Sequence, residues 1–278
     1  MRLRSLLFVP ADRPERFAKA VASGADAIIL DLEDSVVPAR KAEAREAIAA
    51  YLAQPCGDVA RFVRINPLDG GMLADDLSAA RGADGLVLPK AEGAVSVAAL
   101  QEAIGGDCPP ILPIATETPA AVFALGSYRE VRGLAGLTWG AEDLPAAIGA
   151  ATSREDDGRY TSPYETVRAL TLFGAHAAGV AGIETVYPAI PDTAGLAAYA
   201  ARGARDGFTG MMAIHPAQVA IINAAFTPDA SQVAAAQAIV AAFAANPHAG
   251  ALQVDGRMVD APHLKQARAL LARAGEAE

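Results

Sequence analysis

Residues 27–34 read AIILDLED, a short apolar run followed at once by three acidic side chains. The same layout recurs along the chain, where apolar runs of strand length end in polar side chains that can do chemistry. In a (β/α) barrel the catalytic residues lie at the carboxyl ends of the strands. The repeated layout therefore predicts a barrel with its active site at one end. The later polar positions are Arg64, Asn66, Lys90, Glu117, Glu142, Asp143 and His215.

Eight apolar runs of strand length alternate with helix-like stretches. Most runs are continuous rather than alternating, as expected for parallel strands covered on both faces. Eight such units favour a closed (β/α)8 TIM barrel over an open doubly wound sheet. No GxGxxG or GxxxxGK[ST] motif follows the first run, which disfavours a dinucleotide or P-loop site. The predicted strands are residues 6–10, 27–30, 62–65, 85–88, 111–115, 134–139, 182–187 and 209–214.

The chain continues well beyond the last predicted strand. Residues 229–245 read as one helix, residues 250–259 as a short extended or hairpin element, and residues 262–274 as a last helix. A barrel does not require this tail. We therefore expect a catalytic barrel over residues 1–225 and a C-terminal helical extension over residues 226–278, packed on the barrel or on a neighbouring subunit.

Composition bounds the class of protein. The chain has 278 residues, 53% of them hydrophobic, and a mean hydropathy of +0.25, so it can bury a sizeable core. Its net charge of −9 and pI of about 5.0 argue against a general nucleic-acid binder. No apolar run approaches the roughly 20 residues that span a bilayer, and Cys56 and Cys108 stand apart from any metal-binding motif. We expect a cytoplasmic protein that binds neither membranes nor nucleic acids.

Two carboxylates suggest a metal site. Glu117 and Asp143 follow the fifth and sixth predicted strands. Adjacent strands lie about 4.8 Å apart, so these side chains can share one divalent ion. Two carboxylates, with water and substrate oxygens, are a usual environment for Mg²⁺. The alternative is that each acid caps the helix that follows it.

The other charged strand ends suggest a substrate clamp. Arg64 can grip a carboxylate bidentately, or pair with Glu33 or Asp34, and both roles can hold at once. Lys90 can hold a carboxylate or phosphate, or pair with the acids after the second strand. We expect Glu33 and Asp34 to support Arg64, Lys90 or a metal-bound water.

Further candidates lie after the first and last predicted strands. Arg13, Arg16 and Lys19 can form a basic patch for phosphates, or a solvated helix face. His215 precedes Pro216 at a helix start, where a hydrogen-bonding role at the helix end is favoured over catalysis. Trp139 is interpreted as a packing wall beside the site.

In combination, three motifs are specific: LDLEDSV at residues 30–36, GLTWGAEDL at 136–144 and AIHPAQ at 213–218. With further matching stretches that cover nearly the whole chain, the sequence resembles the citrate lyase beta subunit-like family. That family includes malyl-CoA, citramalyl-CoA and related lyases and thioesterases. Departures from its pattern are Ala11, Glu184 and the variable residues 153–163.

The resemblance implies a (β/α)8 barrel, usually trimeric, that uses Mg²⁺ and an acyl-CoA ligand. Glu117 and Asp143 match the family's metal ligands, and Arg64 matches the arginine that binds the keto-acid carboxylate. Asp260 matches a catalytic acid that a neighbouring subunit delivers. Basic residues after the first strand, with Arg13 and Lys19 as candidates, would help to hold the phosphates of CoA.

The implied activity is a Mg²⁺-dependent carbon–carbon lyase. It would cleave or form a 3-hydroxyacyl-CoA thioester such as malyl-, citramalyl- or citryl-CoA, with a 2-keto acid and an acyl-CoA as partners. Three alternatives stay open at this point: a malyl-CoA-type thioesterase, a 2-keto acid aldolase that works without CoA, and the beta subunit of a multi-subunit citrate lyase.

Overall fold

The computed structural model describes residues 1–55 and 57–276, and its largest element is a sheet of eight parallel strands. The fifth and sixth strands along the chain lie at the two ends of this sheet. Two isolated parallel bridges, Ile111 to Leu134 and Ile114 to Thr138, link these two ends. The predicted (β/α)8 barrel is therefore confirmed. The strands are β1 (Ser5–Pro10), β2 (Ala27–Asp31), β3 (Ala60–Arg64), β4 (Gly85–Leu88), β5 (Ile111–Pro113), β6 (Gly136–Thr138), β7 (Ala181–Glu184) and β8 (Gly210–Ala213).

Helices follow the strands of the barrel. Two of them begin as their sequences predict: Thr118 caps one by accepting from the Ala121 N–H, and Ser162-Pro163 opens another. Short 3-10 turns cover Pro14–Arg16, Pro38–Arg40, Leu68–Gly70 and Leu125–Glu130. The helices are α1 (Phe17–Val21), α2 (Lys41–Leu52), α3 (Leu73–Ala79), α4 (Ala94–Ile104), α5 (Pro119–Ala124), α6 (Asp143–Ile148), α7 (Ser162–Ala177), α8 (Thr193–Asp206) and α9 (Pro216–Ala225).

Apolar side chains fill the barrel core. Every residue of β2 is buried, as its unbroken apolar run requires. One core cluster gathers Leu6, Ile29, Phe62, Leu112 and Met212 from five strands. Glycine makes room for the one aromatic ring among these five: a Cβ on Gly85 would lie 2.2 Å from the Phe62 ring.

Five strands end earlier than predicted. β5 ends at Pro113 rather than residue 115, and β3, β6, β7 and β8 also end before their predicted last residues. Several residues beyond these ends, Ile114, Ala115 and Trp139 among them, remain buried. Buried loop residues are apolar in the same way as buried strand residues. The apolar pattern therefore could not separate the hydrogen-bonded strands from the loops that lead into the barrel mouth.

The C-terminal residues form a second compact unit that begins at Ala224, after a first unit over Met1–Asn223. It contains α10 (Ala230–Ala245), an antiparallel hairpin of β9 (Ala251–Val254) and β10 (Arg257–Asp260), and α11 (Ala261–Ala274). The predicted helices and hairpin are therefore present, and the expected boundary at 225/226 lies close to the division. That this extension packs on the barrel or a neighbour stays a prediction.

Two further findings concern the helices and one of the two cysteines. Within residues 1–55 and 57–276, none of the helices has the length and apolarity needed to cross a membrane. Cys108 is a free, half-buried cysteine, and burial raises the pKa of its thiol. Cys56 lies outside the described residues.

Candidate active site

A cavity of about 440 Å³ lies at the carboxyl ends of the strands. It brings together Arg64, Glu117, Asp143 and Asp34, four of the residues that the sequence singled out. Its acidic side chains come from the last residue of β2 and from the residues that follow β2, β5 and β6. The other walls are mainly apolar and are formed by Phe8, Ile114, Trp139, Val186, Met212 and Ile214.

Arg64 ends β3 and is held by carboxylates. Its Nε and Nη2 donate to the two oxygens of Asp31 over 2.6 and 2.7 Å, and Nη1 lies 2.8 Å from Glu33 Oε2. Asp34, at 3.9 Å and with 59% of its side chain exposed, contributes less. Burial disfavours the charged guanidinium, but the paired Asp31 outweighs it and raises the pKa of Arg64. A guanidinium has five N–H groups, so N–H groups remain on Nη1 and Nη2 to bind a ligand carboxylate.

Glu33 links Arg64 to Lys90. Its buried carboxylate is 2.8 Å from Arg64 through one oxygen and 3.0 Å from Lys90 Nζ through the other. Burial raises the pKa of Glu33, and the charge of Arg64 opposes this rise. The ion pair between Lys90 and the acids after β2, which the sequence left open, is present. A substrate contact by the partly exposed Lys90 stays a prediction.

Lys90 also supports Glu117 through its backbone. Its φ of 49° lies in the left-handed region, which is rare for a residue with a long side chain. Such strain costs about 1–3 kcal/mol and collects at functional sites. In this conformation the Lys90 N–H donates to Glu117 Oε2 over 2.5 Å.

Glu117 is packed against a glycine. Its side chain is 4% exposed, and a Cβ on Gly140 would lie only 2.7 Å from Glu117 Cγ. Gly140 therefore leaves the space that this side chain occupies. Burial, with the nearby charges of Glu33 and Asp143, raises the pKa of Glu117 to about 8, against the smaller lowering effect of the Lys90 N–H.

The donor set fits a divalent cation. Asp143 is the first residue of α6, and its Oδ1 lies 3.9 Å from Lys90 Nζ. The carboxylates of Glu117, Glu33 and Asp143 repel one another, and a bound cation would relieve that repulsion. In the described part of the chain no three or more His, Cys, Asp or Glu side chains converge as metal ligands. Two carboxylates that leave coordination positions to water and substrate suit Mg²⁺.

The wall beside the acids rests on a buried charge pair that the sequence analysis did not assign. Glu184 is fully buried and pairs with Arg168 of α7. The same carboxylate accepts hydrogen bonds from Trp139 Nε1 over 2.9 Å and from the Tyr199 hydroxyl over 2.8 Å. The hydrogen bond to Glu184 thus fixes the Trp139 ring, which packs as a wall of the cavity as the sequence predicts. The one sequence signal at Glu184 was its departure from the family pattern.

A second, basic cavity adjoins the first. It also measures about 440 Å³, and it shares Phe8, Pro10 and Ile214 with the acidic cavity. Arg16 and Lys19 line it, together with His215.

Arg13 and His215 have local partners. Arg13 is not among the described residues that line the basic cavity; its side chain is 52% exposed and lies 3.9 Å from Asp12. His215 accepts from the Ala217 N–H through Nδ1 at the start of α9. This contact agrees with the hydrogen-bonding role that was favoured for it.

Asp260 belongs to the C-terminal unit. It caps α11, and its Oδ1 lies 2.5 Å from His263 Nδ1. The hydrogen bond with His263 lowers the pKa of Asp260. Within its own unit the Asp260 carboxylate is therefore hydrogen-bonded to His263 and remains partly exposed.

Fold and site together define a (β/α)8-barrel protein with an acidic, arginine-containing cavity where barrel enzymes carry their chemistry. The model of the HpcH/HpaI aldolase/citrate lyase family matches residues 4–216. The chain belongs to this family, which confirms the resemblance drawn from its motifs.

Three relatives span almost the whole chain. A citrate lyase subunit beta-like protein of Mycobacterium tuberculosis is 38% identical over 273 residues, covering 98% of this chain and 95% of that protein. A (3S)-malyl-CoA thioesterase of Cereibacter sphaeroides is 34% identical over 278 residues, with coverages of 98% and 94%. An L-malyl-CoA/beta-methylmalyl-CoA lyase of the same species is 32% identical over 303 residues, again with 98% and 94%.

A solved structure extends the comparison. CitE from Mycobacterium tuberculosis, crystallised with magnesium, acetoacetate and coenzyme A, matches this fold with a TM-score of 0.84. The two chains are 36% identical, and 99% of each is covered. The family thus contains lyase- and aldolase-like proteins, and CitE, a member similar to this chain, was crystallised with magnesium.

Replacing Gly140 by alanine tests whether Glu117 holds a metal. The added Cβ would meet Glu117 Cγ at 2.7 Å and displace the carboxylate without removing any charged group. We expect Gly140→Ala to weaken Mg²⁺ binding by about tenfold or more, because displaced support of a ligand typically has effects of that size. Calorimetric titration with Mg²⁺ measures it. Gly126→Ala, where a Cβ meets no atom within 4 Å, is the control, and equal Mg²⁺ affinity in both variants would refute the assignment.

Glu117→Gln tests how much the buried Glu117 carboxylate destabilises the folded protein. Because its pKa rises from an ordinary 4.5 to about 8, the folded protein keeps a proton that the unfolded chain has lost between these values. Metal-free wild-type protein therefore loses stability as the pH rises from 4.5 to 8, and Glu117→Gln escapes this loss.

We expect the metal-free Glu117→Gln variant to melt several degrees above wild type at pH 8 and close to it at pH 5. Mg²⁺ should raise the melting temperature of the wild type at pH 8 and leave that of the variant unchanged. Glu142→Gln, an exposed acid of the same cavity, is the control. Parallel curves of melting temperature against pH for wild type and Glu117→Gln would contradict the account.

Proposed function

We propose that this protein is a Mg²⁺-dependent carbon–carbon lyase that cleaves or forms a 3-hydroxyacyl-CoA thioester. Malyl-, citramalyl- and citryl-CoA are the candidate substrates. The products of cleavage are a 2-keto acid and acetyl-CoA or another acyl-CoA. Magnesium in CitE and the malyl-CoA names of two relatives support this proposal.

The observation that carries the proposal is the pair of adjoining cavities. One offers Arg64, Glu117 and Asp143 to a small oxygen-rich acid, and the other offers Arg16 and Lys19 to an anionic group. A CoA thioester has both parts, a compact acyl group and a phosphorylated carrier. Phe8, Pro10 and Ile214 line both cavities, so one ligand can extend from the first into the second.

Glu117 and Asp143 are the proposed ligands of Mg²⁺, which when bound supplies a Lewis acid for the oxygens of the keto acid. The free N–H groups of Arg64 bind the carboxylate of that acid and orient it. The buried contacts of Arg64 with Asp31 and Glu33 keep its fork in place before substrate arrives. Such preorganisation is a main source of electrostatic catalysis.

The proton at the acyl carbon is assigned to Asp260 of a neighbouring subunit. The hydrogen bond with His263 favours its carboxylate form. In condensation Asp260 takes a proton from the carbon next to the thioester, the resulting enolate attacks the keto carbon of the acid, and the keto oxygen takes up a proton from water to become the 3-hydroxyl. In cleavage the 3-hydroxyl loses its proton to water and becomes the keto oxygen as the carbon–carbon bond breaks, the electron pair of that bond forms the thioester enolate, and the protonated Asp260 gives its proton to the enolate carbon.

A thioesterase is the second candidate, because one relative carries that name at 34% identity. It would use the same acids to direct water at the thioester carbonyl. The two activities give different products from malyl-CoA: a lyase gives glyoxylate and acetyl-CoA, and a thioesterase gives malate and free CoA. Product analysis therefore separates them.

The direct test is turnover of malyl-, citramalyl- and citryl-CoA by the purified protein, with and without Mg²⁺. We expect release of a 2-keto acid only with Mg²⁺, and a loss of about a thousandfold or more in Asp143→Ala, since a metal supplies several kcal/mol to such a transition state. Glu142→Ala is the matched control on the neighbouring residue. Undiminished Mg²⁺-dependent activity in Asp143→Ala would refute the metal assignment.

Mixing two inactive variants tests the contribution of Asp260 from another subunit. In a cyclic trimer, each site would combine Asp143 of one subunit with Asp260 of the next. Co-expression of Asp143→Ala with Asp260→Ala then leaves about a quarter of the sites intact, by random assembly around a head-to-tail ring. We expect activity to recover to about that fraction. If each variant alone is inactive and the mixture stays inactive, the assignment of Asp260 to a neighbouring site is wrong.

A further inference from the structure

We propose that Lys41 is a positioning residue, a buried cation that fixes the loop after β2 and thereby aligns Glu33, Arg64 and Lys90. The catalytic consequence rests on the proposed function, whereas the positioning itself does not.

Lys41 has three acceptors for its three N–H groups. Its Nζ donates to the carbonyl oxygens of Leu32 over 2.7 Å and Glu33 over 3.1 Å, and to Asn66 Oδ1 over 2.5 Å. An ammonium group has three donors, so the described contacts use all of them. The cation thus joins the loop after β2 to the loop after β3.

The location of Lys41 is unfavourable for a cation. The residue is 8% exposed and is the first residue of α2, where the helix dipole favours negative charge. Burial lowers the pKa of Lys41, although the surrounding carboxylates, with Asp31 the first of them, oppose this. A buried charge in such a place is retained at a cost, and fixing two loops of the active site is a function that explains it.

The contact continues into a second buried group on the far side. Asn66 donates from Nδ2 and from its backbone N–H to Asp76 Oδ2, over 2.7 and 2.8 Å. Asp76 is fully buried and also accepts from Arg45 Nε over 2.7 Å. Asn66 therefore presents its oxygen to Lys41 in one orientation, which anchors the ammonium to α2 and α3.

On the side of the acidic cavity, the backbone that Lys41 fixes carries the Glu33 side chain. Glu33 contacts Arg64 and Lys90 through its two carboxylate oxygens, and the Lys90 N–H supports Glu117. A shift of the Glu33 backbone would therefore reach the proposed carboxylate clamp and one proposed metal ligand together.

Arg61 provides a matched control. It is also a buried cation, 7% exposed, and its guanidinium donates to the carbonyl oxygens of Leu52, Gln54 and Gly82. It lies near the amino end of β3, three residues before Arg64. Arg61→Met should thus cost stability in the same way as Lys41→Met, without disturbing the loops of the mouth.

Hydrogen exchange on the unliganded full-length protein tests the positioning directly. The amides of Leu32, Glu33, Ser35 and Val36 are all hydrogen-bonded within this region. We expect their exchange to become about tenfold faster or more in Lys41→Met, because local opening becomes easier, and to stay as in wild type in Arg61→Met. Unchanged exchange in Lys41→Met, or equal acceleration in both variants, would overturn the inference.

Binding of pyruvate with Mg²⁺ tests the consequence at the site. Trp139 is the only tryptophan of the chain and lines the acidic cavity, so its fluorescence can report binding. We expect Lys41→Met to weaken pyruvate binding by about tenfold or more, since small misplacements of positioning groups have effects of that order, and Arg61→Met to change it by less than about twofold. Equal weakening in the two variants would reduce Lys41 to a purely structural role.

Two further measurements keep the outcomes separate. If Lys41→Met does not fold, Asn66→Ser removes one of the three acceptors and should give the same exchange pattern at smaller amplitude; normal exchange there overturns the inference. In turnover, Lys41→Met should raise the KM for the keto acid and leave the KM for the acyl-CoA unchanged. A wild-type protein that turns over no CoA ester refutes the proposed function, while the exchange result still decides the role of Lys41.

Discussion

The carboxylate of Glu33 is the junction on which the barrel mouth depends. It contacts Arg64 through one oxygen and Lys90 through the other, and it is almost completely buried. Removing one partner from a buried pair costs about 3–5 kcal/mol, because the remaining charge is left without compensation. The two cations are therefore held in place before any ligand binds. Through the backbone of Lys90 this order reaches Glu117 as well.

The same arrangement places like charges close together at the mouth. Glu117 is buried next to other acids, which raises its pKa to about 8, and Lys90 adopts a strained backbone conformation to support it. Stability is commonly sacrificed in this way at sites that must bind a charged ligand. In the proposed function, a divalent cation would relieve the repulsion among the carboxylates, and a keto-acid carboxylate would bind the free donors of Arg64. The proposed binding of a metal ion and a keto acid would thus offset the electrostatic repulsion and backbone strain at this mouth.

Much of this could be predicted from the sequence. Apolar runs ending in Arg64, Lys90, Glu117 and Asp143 indicated parallel strands and one shared mouth, because parallel strands bring their carboxyl ends together. Other features could not be read from such spacing. The pairing of Arg64 with Asp31, the burial of Lys41 at a helix start and the contact of Glu184 with Trp139 depend on how helices and strands pack over long distances. Asp260 entered through the family resemblance alone, since it lies far from the strand ends in the sequence.

The central claim is that Glu117 and Asp143 together hold the metal while Arg64 holds the keto acid. The most direct measurement is a crystal structure of the protein with Mn²⁺, which scatters anomalously and takes the same oxygen ligands as Mg²⁺, and with pyruvate. The account predicts one anomalous peak bonded to a carboxylate oxygen of each acid, with the pyruvate carboxylate on the N–H groups of Arg64. A peak that touches neither acid, or a pyruvate bound away from Arg64, would contradict it.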